Sequence, residues 1–105
     1  MLVKRKWGWY WTILSGERFK VKLLYFRKGK QISLQKHFDR HEHWLFLFGN
    51  GAMQITNKIF AIGKGEAAFV MREQWHQYTA YKKTLVLEIQ VGERCSEDDI
   101  ERAGA

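Results

Sequence analysis

The segment Gln35–Gly49, QKHFDRHEHWLFLFG, places three of the chain's four histidines, an Asp and a Glu ahead of an apolar run. Successive side chains of an extended chain point to opposite faces, so Gln35 and His37 share one face and Lys36 takes the other. After a turn at Phe38–Arg40, the next strand puts Glu42, Trp44, Phe46 and Phe48 on one face and His41, His43, Leu45 and Leu47 on the opposite one. Glu42 therefore cannot enter a cavity together with His41 and His43. Two exclusive metal-ligand sets follow: Gln35, His37 and Glu42 on one side, or His41 with His43 on the other. The first set gains a distant member in His76, which opens a strand after the Arg72–Trp75 turn. Imidazole nitrogen, carboxylate oxygen and amide oxygen suit a divalent transition ion, and neutral Gln35 leaves such an ion more electrophilic than a third imidazole would. Histidines at i and i+2 are equally at home on a solvated or hydrogen-bonded strand face, so alternation by itself leaves both sets open.

Outward from this segment the chain reads as strands almost everywhere. Trp7–Leu14, Phe19–Phe26, Gln31–His37, His41–Phe48, Ala52–Thr56, Ile59–Ile62, Ala67–Met71, His76–Ala80 and Thr84–Val91 are short and rich in aromatic and aliphatic residues. Turn residues separate them, among them Lys28-Gly29-Lys30, Gly49-Asn50-Gly51 and Gly63-Lys64-Gly65. Turns at this spacing imply an antiparallel sandwich or barrel, not βαβ units. The last segment, SEDDIERAGA from Ser96, changes character: Ser96 followed by Asp98 and Asp99 reads as the N-cap of a short C-terminal helix.

With 105 residues, 46% hydrophobic and 28% charged, the expectation is one globular domain over residues 1–105. No stretch approaches the ~18 to 20 apolar residues of a membrane span, and the start, MLVKRKWGWY, lacks the apolar run of a secretion signal. A soluble, cytoplasmic protein is expected, and the lone Cys95, unable to form an internal disulfide, agrees with a reducing compartment. The formal charge of +7 and five tryptophans raise nucleic acid as a partner. The cations are scattered with no long basic block, however, and a general positive field equally suits a small anionic substrate; nucleic acid is not expected.

The spacing around Gln35 and His76 resembles the cupin superfamily. Its first motif runs Gly, five residues, His, one, His, three or four, Glu, six, Gly; here Gly29, Gln35, His37, Glu42 and Gly49 stand at those positions, with Gln35 in place of the first histidine. Its second motif runs Gly, five residues, Pro, one, Gly, two, His, three, Asn; here Gly65, Met71, Glu73, His76 and Ala80 stand there, and the glycine and the histidine are kept. The chain is further similar to the cupin domain of type II mannose-6-phosphate isomerases, often found fused behind a mannose-1-phosphate guanylyltransferase. The similarity rests on Trp7-Gly8, Phe19-Lys20-Val21-Lys22, Ser33-Leu34-Gln35, His37, Arg40, Glu42-His43-Trp44, Glu88-Ile89-Gln90-Val91-Gly92, Glu97-Asp98-Asp99-Ile100 and Arg102. The glutamine at the first histidine position is a habit of that family.

The resemblance implies a small cupin jelly-roll barrel of antiparallel strands that holds one divalent transition metal (Zn, Mn, Fe, Co or Ni) through Gln35, His37, Glu42 and His76. It implies a metal-dependent aldose–ketose isomerase that interconverts mannose 6-phosphate or glucose 6-phosphate with fructose 6-phosphate. Glu88, on a strand face with Val86 and Gln90, is the candidate base, since a carboxylate at a barrel wall has its pKa raised by desolvation; Lys20 is the second catalytic candidate. Lys22, Arg40, Gln90 and Arg102 are the substrate-binding candidates, the cations for phosphate. Phe38-Asp39 replaces a run of histidines common in the family, and Met71-Arg72-Glu73 replaces its Pro-x-Gly turn, so a free-standing domain of this kind is open to other phosphosugars. A non-catalytic metabolite-binding cupin and a metal-dependent cupin oxygenase are the alternatives. A homodimer is expected, with the Trp7–Trp11 run WGWYW buried against a partner unless its tryptophans pack inside one barrel.

Overall fold

The computed structural model describes residues 1–104. Eleven strands are found there: β1 (Leu2–Arg5), β2 (Gly8–Ser15), β3 (Phe19–Phe26), β4 (Gln35–Lys36), β5 (Arg40–Phe48), β6 (Asn50–Ile55), β7 (Lys58–Gly63), β8 (Ala67–Val70), β9 (His76–Ala80), β10 (Thr84–Gly92) and β11 (Glu101–Arg102). They form two antiparallel sheets, one ordered β1-β2-β3-β10-β5-β8 and the other β11-β4-β9-β6-β7. The strand interleaving suits a jelly roll, in which consecutive strands alternate between facing sheets.

Alternation decides what each sheet buries. Leu24, Phe26, Trp44, Phe46 and Val86 of the first sheet meet Met53, Ile62, Tyr78 and Ala80 of the second in one core. Phe26 lies edge-on to Tyr78, with ring centroids 5.1 Å apart, and Phe46 lies 5.0 Å from the same ring. Burying these large side chains is worth roughly 2 to 3 kcal/mol each, enough to fix the strand register. Toward one end the inward positions change from apolar to polar along the same strands: Leu24 gives way to Lys22, Trp44 to Glu42, and Val86 to Glu88 and Gln90. That end is the polar mouth of the barrel.

Gly49 joins β5 to β6 with φ 95°, a left-handed conformation, and a Cβ there would strike Thr84 Oγ1 and the Lys83 carbonyl. In the second motif the position that cupins give to glycine is Glu73, and its φ of 63° is the left-handed turn that a glycine would adopt without strain. The left-handed turn is therefore made here by a residue for which that conformation is strained. Its amide N–H donates to the His37 carbonyl at 2.7 Å, tying the loop before β9 to the segment before β5.

The C-terminal helix expected from Ser96 is not formed; among the described residues there is no helix at all. Ser96 Oγ does accept from the Asp98 N–H at 3.2 Å, as an N-cap begins, but the Asp99 carboxylate turns away to accept from the N–H groups of Phe38 and Asp39, both at 2.8 Å. The backbone then extends into β11, which pairs with β4 through Glu101↔Lys36 and Arg102↔Gln35. Tertiary hydrogen bonds outweigh a one-turn helix whose nucleation alone is costly. Among the described residues no helix is long and apolar enough to cross a membrane.

Candidate functional site

At the polar mouth three strands carry the chemistry side by side. The β3–β10 register sets Lys22 opposite Glu88 and Lys20 opposite Gln90, and the β10–β5 register sets Glu88 opposite Trp44 and Gln90 opposite Glu42. From the facing sheet, β4 and β9 bring Gln35 directly opposite His76. These elements enclose a cavity of about 600 Å³, within the range of small-molecule sites. Gln35, His37, Glu42, His76, Glu88, Gln90, Lys22, Arg40 and Arg102 all line it, whereas Lys20 does not.

His37, Glu42 and His76 are buried and each offers a ligand atom within 4.8 Å of the others. Glu42 Oε2 is 3.3 Å from His37 Nε2, and Oε1 is 3.6 Å from His76 Nε2. The outer ring nitrogens are committed: His37 Nδ1–H donates to the Asp99 carbonyl at 2.6 Å and His76 Nδ1–H to the Gln74 carbonyl at 3.0 Å. A carbonyl only accepts, so in the neutral rings both Nε2 lone pairs point toward Glu42, the tautomer that metal-binding histidines use. Burial drives the His37 pKa below its ordinary value, with Arg40 adding to the effect and Glu42 opposing it, so the ring keeps that lone pair at neutral pH. These donors fit a divalent transition ion, and Gln35, half-buried beside His76, supplies an amide to the same space. His41 and His43 point to the other side of β5, where both rings lie against Phe69 with centroids 5.3 and 4.7 Å away.

Arg40 holds the donor set together. Its Nε donates to Glu42 Oε2 at 3.0 Å, one terminal nitrogen lies 3.3 Å from His37 Nε2, and the other donates to the Ser96 carbonyl at 2.9 Å. Because His37 Nε2 has one lone pair, it can accept from Arg40 or ligate a cation, not both. Trp44 Nε1–H gives Glu42 a further bond at 3.0 Å. Burial opposes ionisation of Glu42, but His76, His37 and Arg40 overcome it and hold its pKa down to about 2.

Glu88 stands in the opposite condition. Burial, reinforced by repulsion from Glu42 and offset only in part by Lys22 and Arg40, pushes its pKa up to about 8. Two buried carboxyls one strand apart are thus driven in opposite directions, Glu42 toward the ionised and Glu88 toward the protonated form. Gln90 Nε2–H donates to Glu88 Oε1 at 2.8 Å, while Gln90 Oε1 is a buried polar atom without a partner. Lys22 is buried with its ammonium 4.1 Å from the Tyr10 ring centroid. Lys20 and Lys22 both reach the Glu97 carboxylate, at 3.1 and 2.6 Å, and Arg102 is exposed at the rim. Tyr10, Glu97 and Asp99 enter the site without having been singled out for it by sequence; Glu97 and Asp99 belong to the family-like Glu97–Ile100 segment, where Asp99 reads as part of a helix cap.

A family model described as Mannose-6-phosphate isomerase C-terminal matches residues 1–104. A mannose-1-phosphate guanylyltransferase of Sinorhizobium fredii is 36% identical over 100 residues, which cover 93% of this chain and 20% of that protein. The alginate biosynthesis protein AlgA of Pseudomonas aeruginosa is 32% identical over 102 residues, covering 95% of this chain and 21% of that one. The chain thus spans about a fifth of the length of the curated relatives it matches. Among solved structures, the oxalate decarboxylase of Bacillus subtilis superposes with a TM-score of 0.88 at 15% identity, over 98% of this chain and 30% of that one. A cupin-2 domain of Rhodospirillum rubrum superposes with a TM-score of 0.78 at 17% identity, over 94% and 77%. At such identities the likeness speaks for the fold alone. Cupin in its fold and matched by the family model along residues 1–104, the chain belongs to the mannose-6-phosphate isomerase C-terminal family.

Proposed function

We propose that the domain is a metal-dependent isomerase that interconverts the aldose and ketose forms of a phosphorylated hexose, mannose 6-phosphate or glucose 6-phosphate with fructose 6-phosphate. The observation that carries this reading is the pairing, in one cavity, of an ionised Glu42 between the Nε2 atoms of His37 and His76 with a Glu88 whose pKa is pushed up to about 8. Gln35, His37, Glu42 and His76 would hold the divalent ion, which when bound supplies a Lewis acid for the oxygens at C1 and C2. Ionised Glu88 takes the proton from C2 of the open-chain aldose and returns it to C1, while the hydroxyl proton passes from O2 to O1, so the formula is unchanged. Gln90 keeps Glu88 oriented through its Nε2–H, and its unpartnered Oε1 is a ready acceptor for a sugar hydroxyl. Lys22, Lys20 and the exposed Arg102 are the cations available to phosphate, whereas Arg40, the remaining cation expected there, is committed to Glu42 and the Ser96 carbonyl. The free thiol of Cys95 suits the cytoplasmic location this reading carries.

The test is metal analysis of the purified protein followed by a coupled assay on mannose 6-phosphate and glucose 6-phosphate, with wild type and His37→Ala. Turnover by metal-loaded wild type and its loss in the variant are expected. Silence on every sugar phosphate ends the isomerase reading, and binding without turnover points to a metabolite-binding cupin; oxygen consumption points to an oxygenase. An unchanged His37→Ala ends the proposed site.

A second copy of the chain is the partner we propose for the outer face of the six-stranded sheet. Trp7 packs inward on Phe26 at 4.7 Å, but Trp11 is 47% exposed on the outer face with Leu23, Leu45, Leu87, Ile89 and Phe69. The four strands of eight or nine residues, β2, β3, β10 and β5, with the four-residue β8 present roughly 600 Å² of sheet, so two copies stacked face to face bury about 1,200 Å², the lower bound of a stable interface. Sedimentation at micromolar concentration is expected to show a dimer that Leu45→Lys with Leu87→Lys converts to monomer; a monomeric wild type would dispose of the interface.

A further inference from the structure

We propose that Glu97 is a built-in stand-in for the phosphate of the ligand, occupying the anion position between Lys20 and Lys22 until a phosphate monoester displaces it. The inference rests on the sugar-phosphate reading above and specifies where the phosphate goes and what guards that place. A single oxygen, Glu97 Oε2, takes both ammonium groups, Lys22 Nζ at 2.6 Å and Lys20 Nζ at 3.1 Å. Lys22 is buried and held over Tyr10, so this cation cannot retreat into solvent when its partner leaves. The strand register places the pair beside Glu88 and Gln90, one strand from the proposed base. An anion here is therefore anchored next to the carboxyl that would act on the other end of the same sugar.

Glu97 differs from every other acid at the mouth in being able to leave. Its side chain is 49% exposed while Glu42 and Glu88 are buried. The backbone on either side of it is pinned independently: the Ser96 carbonyl accepts from Arg40 at 2.9 Å, and the Asp99 carboxylate accepts from Phe38 and Asp39 N–H at 2.8 Å each. The side chain can swing from the lysines toward solvent without releasing the segment that orients His37. Charge then decides what replaces it. One carboxylate leaves two ammonium groups with a surplus of about one positive charge, whereas a phosphate monoester carries ≈ −1.5 to −2 and three acceptor oxygens. Phosphorylated sugars compete with Glu97; neutral sugars and monocarboxylates do not. Lys20, outside the cavity lining, thereby gains a role as half of an anion clamp, and the segment read from sequence as a helix cap becomes a filter.

The experiment is titration of inorganic phosphate into the wild-type chain, Glu97→Gln and Glu97→Gln with Lys20→Gln, read by calorimetry. Glu97→Gln is expected to tighten phosphate binding about fivefold, the size of one part-exposed ion pair, and the added Lys20→Gln to cancel the gain. Free mannose affinity stays unchanged throughout. A phosphate affinity in Glu97→Gln equal to or weaker than wild type overturns the proposal, as does a gain that survives Lys20→Gln. Because binding of inorganic phosphate is read without turnover, absence of isomerase activity would count against the catalytic reading and leave this result standing.

Discussion

Glu42→Gln is expected to abolish divalent-ion binding, lowering affinity by three orders of magnitude or more, and to remove sugar-phosphate turnover with it. The carboxylate is the one anionic member of the donor set, and an amide in its place offers neutral oxygen to an ion that has only imidazoles and Gln35 besides. The same change strikes the fold. Arg40 is buried and donates to Glu42 Oε2, so the variant leaves a guanidinium facing a neutral group, at a cost of about 3 to 5 kcal/mol. The pH dependence separates this effect from simple loss of packing. The Glu42 pKa falls from an ordinary 4.5 to about 2 on folding. Its contribution is therefore fully present above about pH 4.5 and is lost as the pH falls toward 2, an amount on the order of 3 kcal/mol. Urea denaturation of chelator-treated protein between pH 2 and 6 should show this slope in wild type and a loss of it in Glu42→Gln. Equal slopes in the two proteins would mean that Glu42 is not the ionised partner the geometry makes it.

The parity of Gln35–Gly49 makes this carboxylate legible from the sequence alone. Gln35, His37 and Glu42 were separated from His41 and His43 by alternation alone, and a strand has no other way to arrange them; the cavity and the Phe69 face now hold them apart. The ranges of β3 and β9 were readable to the residue because each is bounded by turn residues and filled with alternating apolar ones. β1 was not: LVKR carries two cations and earns its extended form only by pairing with β2 through Leu2↔Trp11 to Arg5↔Gly8. The strand expected at Gln31–His37 shrinks to Gln35–Lys36, because the residues before it follow β9 by single contacts, a Gln31↔Thr79 bridge and an Ile32 N–H bond to the Tyr78 carbonyl. Tyr10, Glu97 and Asp99 reach the mouth from strands and loops far apart in sequence, and no local pattern announces a partner 62 or 75 residues away. Glu88 sits between these cases. Its alternation with Val86 and Gln90 was visible, but whether that face was wall or edge depended on β10 lying between β3 and β5.

That central position is what makes Glu88→Gln the most discriminating variant. Gln keeps the volume and still accepts the Gln90 N–H bond, while removing the ability to carry a proton. Turnover is expected to fall by about 10²–10⁴-fold, the usual contribution of a positioned base. Stability is expected to move the other way. Burial and Glu42 push the Glu88 pKa from an ordinary 4.5 to about 8, so between those values the folded chain holds a proton that the unfolded chain has released. Wild-type stability therefore declines as the pH rises from about 4.5 to about 8, and the variant, with nothing to ionise, escapes a cost on the order of several kcal/mol at the upper end. Chelator-treated Glu88→Gln should thus unfold at higher urea than wild type at pH 8 and at nearly the same urea at pH 4.5. In the assay, wild-type kcat/KM should rise with pH along an acid limb, since the base works only when deprotonated; a divalent ion bound nearby draws that limb below pH 8. A buried glutamate kept for structure alone would lose stability when neutralised or leave it unchanged, and would not take the acid limb with it. A variant that is both steadier at pH 8 and catalytically dead can be explained only by a carboxyl held in the barrel wall, at a cost to the fold, for the proton it moves.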